Sequence, residues 1–373
     1  MIIAGEASGD QHAARLVESV HNIDPSVEFF GIGGECMRRA GVEILVDSSE
    51  MAVVGLVEIW AHRKVIFGAL DKMREILKTD PPDLLFLTDY PEFNLRLAKT
   101  AKQLGIKVLF YISPQIWAWR QWRVKKIRKL VDMMAVIFPF EMDFYHQHNV
   151  PVRFVGHPLA GEVHASAERD RLCAEFGLDA QRPVVGLFPG SRQSEVKRLM
   201  PIIIETAKRL KQQNPQIQFL LPIASTLKRE YFSPYLDADT PTIKMQENRS
   251  YDVMAACNAI VTVSGTVTLE IALIGTPMVI INRISSLSYF IAKQMVKVNH
   301  IGLCNIVAGK RVVPELIQYQ ATAEKISAEI LRILSQADYS QSIRNELQKV
   351  RARLSSEGEI TNLAELTMEL LKQ

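Results

Sequence analysis

Short apolar runs rich in β-branched residues alternate along the chain with longer segments whose apolar residues recur at helical spacing. This alternation is typical of a parallel sheet whose strands are joined by helical crossovers. In the first half it predicts strands at Met1–Ala4, Glu28–Ile32, Leu84–Thr88, Lys107–Ile112, Met134–Ile137 and Val152–Val155. It predicts helices near Gly9–His21, Lys64–Lys78, Phe93–Gln103, Gln121–Leu130 and Glu141–Gln147.

The same pattern restarts after Gly156-His157-Pro158. Here the predicted strands are Val184–Phe188, Ile217–Pro222, Ile243–Met245, Ala259–Val263 and Met278–Asn282. The predicted helices are Glu195–Gln213, Ser250–Cys257, Val267–Ile274, Ser286–Val296, Ala323–Leu334 and a charged run from Ser340 to the end.

The length of the chain, 373 residues, exceeds what one typical core accommodates. We therefore predict an α/β fold with two Rossmann-like domains, residues 1–160 and 161–345, and a C-terminal helix over residues 346–373. That helix has two candidate partners, the first domain or another subunit. Two facing domains make a cleft, and ligands of open α/β sheets bind beyond the carboxyl ends of the strands. We therefore expect the functional residues directly after strands.

Composition narrows the class of protein. Hydrophobic residues at 48% and charged residues at 23% fit a soluble globular enzyme. No apolar run approaches the roughly 20 residues that span a bilayer. The chain opens on a short strand rather than a signal peptide, which leaves open whether residues precede Met1. The four cysteines and eight histidines lack disulfide or metal-ligand spacing, so we expect a cytoplasmic protein without a metal or other cofactor.

Charge is distributed unevenly, although the net charge is only +3. Residues 93–131 contain ten Lys and Arg but no Asp or Glu, which favours an anionic partner: a phosphate, a membrane surface or a nucleic acid. Three of the four tryptophans lie within this stretch. The interleaved aromatic and basic side chains predict an acceptor-binding or membrane surface, and the alternative is tryptophan packing inside the domain. The members of this predicted surface are Trp117, Trp119, Arg120 and Arg123.

A second membrane candidate is the apolar segment from Met51 to Leu70, which carries Arg63 and Lys64. It fits a loop or helix that enters a bilayer with the help of cations. The alternative is a core helix of the first domain. Nucleic acid is the least favoured partner, because no reader motif accompanies the basic tract.

Two strand–turn–helix segments in the second half are candidates for an anionic ligand. Ser264-Gly265-Thr266 follows a predicted strand and opens a helix, whose N-terminus suits a pyrophosphate. Glu270 lies one turn further, where a carboxylate can accept from two ribose hydroxyls. Ser191 and Arg192 end the other segment and can bind a phosphate. The alternatives are an ordinary turn, an N-cap at Thr266 and solvated side chains.

The first half offers two further strand-end segments. Gly5-Glu6-Ala7-Ser8-Gly9-Asp10 lacks Gly-x-Gly-x-x-Gly, so a nicotinamide site is not supported. Its Glu6, Ser8 and Asp10 better suit a hydroxyl-rich sugar, with a helix-end charge as the alternative for Asp10. Asp89 follows the Leu84–Thr88 strand, where an ionised carboxylate can accept a proton from an attacking hydroxyl. A capping or turn role is the alternative, and Glu92 is the second candidate base.

Five segments occur in the order found in lipid-A-disaccharide synthases, and the chain resembles that family over nearly its whole length. They are Gly5-Glu6-Ala7-Ser8-Gly9-Asp10, Ser113-Pro114-Gln115-Ile116-Trp117-Ala118-Trp119-Arg120, Pro189-Gly190-Ser191-Arg192, Ser264-Gly265-Thr266 with Glu270, and Asn305-Ile306-Val307-Ala308-Gly309. The first two are specific to this family, whereas the Glu270 position is shared more widely by two-domain UDP-sugar transferases.

The resemblance implies a GT-B-type inverting glycosyltransferase that needs no metal. Such an enzyme joins UDP-2,3-diacylglucosamine to 2,3-diacylglucosamine 1-phosphate, giving a β(1→6) disaccharide and UDP. It also implies a peripheral protein on the cytoplasmic leaflet of the inner membrane of a Gram-negative bacterium, with a homodimer as an option. By position, Asp89 resembles the catalytic base, Arg192 a donor-phosphate ligand, Glu270 the ribose anchor and Asn305 a further donor-site residue.

The chain departs from the family pattern at Glu92, where we expect Asp in relatives. Two other functions remain open from the sequence. One is a UDP-sugar epimerase or a different glycosyltransferase on the same fold. The other is a nucleotide-sugar-binding protein at a membrane surface that does not catalyse a reaction.

Overall fold

The computed structural model describes residues 1–51, 58–284, 299–355 and 359–372, with side chains described outside 58–63 and 359–361. The chain divides into two compact units. Unit 1 comprises Met1–Pro158 and the C-terminal residues from Leu354, and unit 2 comprises Leu159–Arg353. The segment 346–353, predicted to separate from the second domain, therefore belongs to unit 2.

Unit 1 is a parallel sheet covered by helices. Its strands are β1 (Ile2–Ala4), β2 (Phe30–Gly33), β3 (Glu43–Asp47), β4 (Leu84–Thr88), β5 (Lys107–Tyr111), β6 (Met133–Val136) and β7 (Val152–Phe154). Its first seven helices are α1 (Ala7–Ile23), α2 (Glu35–Arg39), α3 (Glu58–Thr79), α4 (Pro91–Gln103), α5 (Ile116–Trp119), α6 (Val124–Leu130) and α7 (Pro139–Gln147). The strand order is β3-β2-β1-β4-β5-β6-β7.

Unit 2 repeats this architecture. Its strands are β8 (Val184–Phe188), β9 (Gln218–Ile223), β10 (Ile243–Glu247), β11 (Ala259–Val263), β12 (Met278–Asn282) and β13 (Glu315–Ile317), in the order β10-β9-β8-β11-β12-β13. The helices from here to the end of the chain are α8 (Leu159–Glu162), α9 (Arg169–Glu175), α10 (Gln193–Gln213), α11 (Ser250–Ala256), α12 (Val267–Ile274), α13 (Leu303–Ala308), α14 (Ala323–Ser335), α15 (Ala337–Leu354) and α16 (Glu359–Lys372).

The central strands explain why the alternation along the sequence was informative. Every residue of β4, β8 and β11 is buried, because helices cover both faces of a parallel sheet. In unit 1, Ile3 pairs with Ile32 on one side and Leu87 on the other. All three belong to one hydrophobic cluster that extends to Phe110 and Met134. The prediction of two Rossmann-like domains is confirmed.

The differences from the predicted elements have local causes. Strand β3 was not predicted, because it begins with the exposed Glu43, is only half-buried and lacks a continuous apolar run. Strand β13 was not predicted either, because it has only three residues. The predicted helix at 286–296 lies outside the described residues. The C-terminal helix α16 packs against α1 of the same chain.

Within the described ranges, none of the helices combines the length and the apolar composition that a bilayer span requires. The predicted membrane segment at 51–70 falls partly outside the described residues, which exclude 52–57 and the side chains of 58–63. Its remaining part belongs to α3, where Leu70 is buried and Phe67 is 38% exposed.

Candidate functional site

The carboxyl ends of β1 and β4 meet where the strand order of unit 1 reverses, and Asp89 lies at this point. Asp89 Oδ1 accepts a hydrogen bond from the Gly5 backbone N–H at 3.0 Å. Its Oδ2 accepts from the Glu6 N–H at 3.3 Å. Open α/β sheets bind ligands at such a reversal of strand order. The structure therefore brings together two of the strand-end segments selected from the sequence.

The backbone around Asp89 is held in an uncommon conformation. Asp89 has φ 48° and Tyr90 has φ 34°, both in the left-handed region. Asn94, which is fully buried, donates from Nδ2 to the carbonyl oxygens of Thr88 at 2.9 Å and Asp89 at 2.7 Å. Helix α1 also approaches closely: a Cβ added to Gly9 would lie 1.8 Å from Asp89 Oδ2. Backbone strain of this kind persists where the surroundings fix it, often at functional sites.

The pKa of the Asp89 carboxyl group is shifted toward neutral pH. Burial raises its pKa to about 7, the hydrogen bond from Gly5 opposes that rise, and the nearby charge of Glu6 adds to it. A carboxyl group with a pKa near the working pH suits a general base. Sequence reasoning missed Asn94, although its place five residues after Asp89 at the start of a helix was visible.

A pocket of about 1000 Å³ adjoins this loop in unit 1. Glu6 lines it, together with the apolar side chains of Met51, Ile66, Phe67, Leu70 and Phe93. Ser8 is exposed and does not line it.

Asp10 lines the same pocket, and its carboxylate is also hydrogen-bonded within the fold, so that it faces a sugar stays a prediction. Its Oδ1 accepts from the N–H groups of Gly34 at 2.6 Å and Met37 at 3.2 Å. Its Oδ2 accepts from the Cys36 N–H at 3.0 Å. Asp10 thus accepts hydrogen bonds from the free backbone N–H groups at the N-terminus of α2, although it lies more than twenty residues away along the chain.

The tryptophan-rich segment is divided between core and surface. Trp117 is buried at 7% exposure and donates from Nε1 to Glu141 Oε1 at 3.0 Å. The prediction that Trp117 forms the binding surface is therefore wrong. Burial raises the pKa of Glu141 to about 8. Trp119 and Trp122 are 44% and 72% exposed.

The basic side chains of this segment also differ in their surroundings. The Arg120 guanidinium lies 4.0 Å from the centroid of the Trp119 ring. Arg123 is only 11% exposed and pairs with Glu92. Contrary to the prediction, it is therefore not free to bind a surface ligand. Four cations of the following helix α6 are exposed: Lys125, Lys126, Arg128 and Lys129.

The carboxyl ends of β8 and β11 meet where the strand order of unit 2 reverses, and a pocket of about 390 Å³ lies there. Both predicted anion loops line it, and so does Glu270. These lining members of the predicted donor site are Ser191, Arg192, Ser264, Gly265, Thr266 and Glu270. A Cβ added to Gly265 would meet nothing within 4 Å, so the glycine opens the pocket rather than relieving a crowded turn.

The two loops present different groups to this pocket. Arg192 is 79% exposed at the start of α10, and its guanidinium Nη1 lies 3.5 Å from Glu195 Oε1. Ser264 donates from Oγ to the Ile301 carbonyl at 2.8 Å. The N-terminus of α12, which begins after Thr266, carries a partial positive charge. A cation and a helix N-terminus together suit a diphosphate.

Glu270 lies between two pockets. It lines the 390 Å³ pocket and also a neighbouring pocket of about 470 Å³ that includes Asn248 and Arg249. Burial raises the pKa of Glu270, and a hydrogen bond from Tyr251 opposes the rise. Burial also raises the pKa of Tyr251 to about 12. Sequence reasoning missed Tyr251, because nothing in its spacing from Glu270 indicates that they meet.

Asn305 is not brought to the donor pocket, contrary to the prediction. It is fully buried, and Oδ1 accepts from the N–H groups of Val312 at 2.8 Å and Val313 at 3.0 Å. Nδ2 donates to the Val313 carbonyl and to Glu315 Oε1. Glu315 in turn accepts from the Gly302 N–H at 3.0 Å. Asn305 therefore fixes the turn at Val312 and Val313. Through Glu315 it is also linked to Gly302, which follows Ile301, the residue that accepts the hydrogen bond from Ser264. Among the described residues no cluster of His, Cys, Asp and Glu suits a metal ion.

Two solved structures with low sequence identity share this fold. UDP-GlcNAc 2-epimerase from Neisseria meningitidis, solved with UDP-GlcNAc bound, has a TM-score of 0.60 at 11% identity and covers 98% of each chain. A glycosyltransferase from Rickettsia africae has a TM-score of 0.59 at 12% identity, covering 100% of this chain and 98% of that one. At these identities the likeness concerns the fold alone.

Sequence relatives are much closer. The lipid-A-disaccharide synthases of Trichlorobacter lovleyi and Geobacter metallireducens are each 56% identical to the chain, covering 100% of it and 97% of each relative. A family model described as lipid-A-disaccharide synthetase matches residues 1–369. The chain therefore belongs to the lipid-A-disaccharide synthase family.

Proposed function

We propose that the chain transfers 2,3-diacylglucosamine from UDP to the 6-hydroxyl of 2,3-diacylglucosamine 1-phosphate, giving a β(1→6) disaccharide and UDP. Family membership supports the reaction, and the site geometry supports the assignment of roles. The observation that carries these roles is the convergence of Arg192, the N-terminus of α12 and Glu270 on one pocket of unit 2.

The donor's orientation follows from the position of Glu270. The diphosphate-binding loops line the 390 Å³ pocket of unit 2 but not the neighbouring 470 Å³ pocket. Glu270 lines both of these pockets. A ribose held by Glu270 therefore directs its diphosphate toward Arg192 and Gly265 and its base toward the pocket that includes Asn248. As the bond between the anomeric carbon and the diphosphate oxygen breaks, Arg192 and the α12 N-terminus stabilise the charge that develops on UDP.

Asp89 is the proposed base. The acceptor hydroxyl attacks the anomeric carbon from the face opposite UDP, which inverts that carbon, and its proton passes to the Asp89 carboxylate. The pKa of about 7 lets this carboxylate be ionised before the step and hold the proton after it. The adjoining apolar pocket, with Phe67, Leu70 and Phe93 in its wall, fits an acyl chain of the acceptor.

We further propose that unit 1 binds the anionic leaflet that carries both substrates. Trp119 and Trp122 are exposed beside the cationic helix α6, and tryptophans and cations together favour a membrane interface. Sedimentation with vesicles tests this surface: Trp122→Ala should reduce binding to vesicles containing anionic lipid. Equal binding of Trp122→Ala and wild type to such vesicles would contradict the proposed surface.

The reaction is tested by measuring UDP release with donor alone and with donor plus the phosphorylated acceptor. A transferase releases UDP only when the acceptor is present, whereas an epimerase converts the donor sugar without the acceptor. Wild-type protein that binds UDP but forms no disaccharide would refute the enzymatic function.

The base is tested by comparing Asp89→Asn with Glu92→Gln, the second candidate. We expect Asp89→Asn to lower kcat by about 10²–10⁴-fold, the range for removal of a general base. Glu92→Gln should keep most of the activity, because Glu92 is held in an ion pair with Arg123 and lacks the backbone hydrogen bonds that fix Asp89 beside Gly5. A Glu92 variant more impaired than the Asp89 variant would reverse the assignment.

A further inference from the structure

The loop after β8 already binds an anion, and that anion is a side chain of the protein. Glu195 Oε2 accepts hydrogen bonds from the backbone N–H groups of Ser191 at 3.1 Å and Arg192 at 3.3 Å. Its other oxygen, Oε1, lies 3.5 Å from Arg192 Nη1. Glu195 also lines the pocket assigned to the donor.

This loop is shaped around the carboxylate. Gly190 has φ 111°, and a Cβ added there would lie 2.2 Å from Glu195 Oε2, so only glycine admits the close approach. Thr226 Oγ1 donates to the Ser191 carbonyl at 2.6 Å and helps to hold the loop in place. Consecutive N–H groups that point at one oxygen are the arrangement by which loops bind phosphate.

We propose that Glu195 is an internal competitor of the donor's diphosphate. The carboxylate and a diphosphate oxygen use the same two N–H groups and the same guanidinium, so each displaces the other. This inference rests on the proposed binding of a UDP-sugar in this pocket. It assigns Glu195 a role in product release. After the sugar has been transferred to the acceptor, the Glu195 carboxylate pairs with Arg192 again and UDP dissociates.

A purely structural role predicts a different result for one substitution. Glu195→Gln keeps a side-chain oxygen that can accept from both N–H groups, so the start of α10 remains capped. It removes the charge that pairs with Arg192 and repels a diphosphate. The competitor role therefore predicts tighter UDP binding, whereas a capping role alone predicts no change.

The experiment is a calorimetric titration of UDP into full-length wild type, Glu195→Gln and a control, Glu205→Gln. Glu205 lies on the same helix, and its partner is Arg209 at 3.0 Å rather than a pocket residue. We expect UDP to bind Glu195→Gln about three- to tenfold more tightly at low salt, the range of a partly exposed ion pair plus local repulsion. The gain should shrink at high salt, and Glu205→Gln should bind like wild type.

A second pair of proteins isolates the part played by Arg192. In an Arg192→Gln background the Glu195→Gln change should gain less than half as much, because there is no guanidinium to release. Unchanged or weaker UDP binding by Glu195→Gln, or a full gain in the Arg192→Gln background, would overturn the inference. A wild type that does not bind UDP would instead overturn the proposed function, and this inference with it.

Discussion

The carboxyl group of Asp89 should make the folded protein less stable at the pH where the enzyme works. Its pKa rises from 3.8 to about 7 in the folded state because it is buried. Between these values the folded state holds the proton more tightly than the unfolded state, so the free energy of unfolding falls as pH rises and is lowest above pH 7. A difference of about 3 pKa units corresponds to about 4 kcal/mol.

Asp89→Asn removes this cost while keeping the shape of the side chain. The asparagine oxygen can still accept from Gly5 N–H, but its amide cannot accept from Glu6 N–H, which costs about 1–2 kcal/mol. At pH 8 we expect the variant to exceed wild type by about 2–3 kcal/mol in the free energy of unfolding, roughly 5–10 °C in Tm. At pH 5, where wild-type Asp89 is protonated in the folded state, the gain should be close to zero.

The assay is scanning calorimetry of wild type and Asp89→Asn at pH 8 and pH 5. Asp71→Asn serves as a control, because Asp71 is exposed and pairs with Arg74 on the surface of α3. It should change Tm little at either pH. An equal Tm for Asp89→Asn and wild type at pH 8, or a difference between them that does not depend on pH, would contradict a destabilising Asp89 carboxylate.

Three further predictions concern activity, binding and folding. Because Asp89 must be ionised to act as a base, kcat/KM for UDP release should fall about tenfold for each pH unit below 7 and level off above it; a flat profile between pH 5.5 and 8.5 would contradict this. Glu270→Gln should weaken UDP binding about tenfold by calorimetry, yet affect 2′-deoxy-UDP less; an equal loss for both ligands would exclude a ribose contact. Asp10→Ala should lower the free energy of unfolding of unit 1 by about 2 kcal/mol in urea, since three N–H groups at α2 lose their acceptor, while UDP affinity stays unchanged; an unaltered urea midpoint would show that the cap is dispensable.

The sequence located the strand ends well because the central strands are continuous apolar runs. Such runs occur only where helices cover both faces of a sheet, so β4 and β11 were unmistakable. Asp89 and Glu270 follow them directly, and the rule for ligand position then selects them. A short strand at the edge of a sheet, such as the three residues of β13, gives no such signal.

The sequence did not indicate which polar side chains form hydrogen bonds within the fold itself. Asp10, Trp117 and Asn305 each have the chemistry of a ligand-binding residue. Each forms a hydrogen bond with a partner supplied by another part of the chain, such as Glu141 for Trp117. Such pairings depend on the packing of distant elements, which local periodicity does not encode.

The packing of α16 on α1 makes unit 1 discontinuous, with unit 2 inserted between its two parts. During synthesis, which delivers the chain from its first residue onward, all of unit 2 emerges before the final helix does. The order in which the two units are completed is therefore opposite to the order in which they begin. Until residues 354–373 leave the ribosome, the surface of α1 that α16 covers stays exposed to solvent and to chaperones.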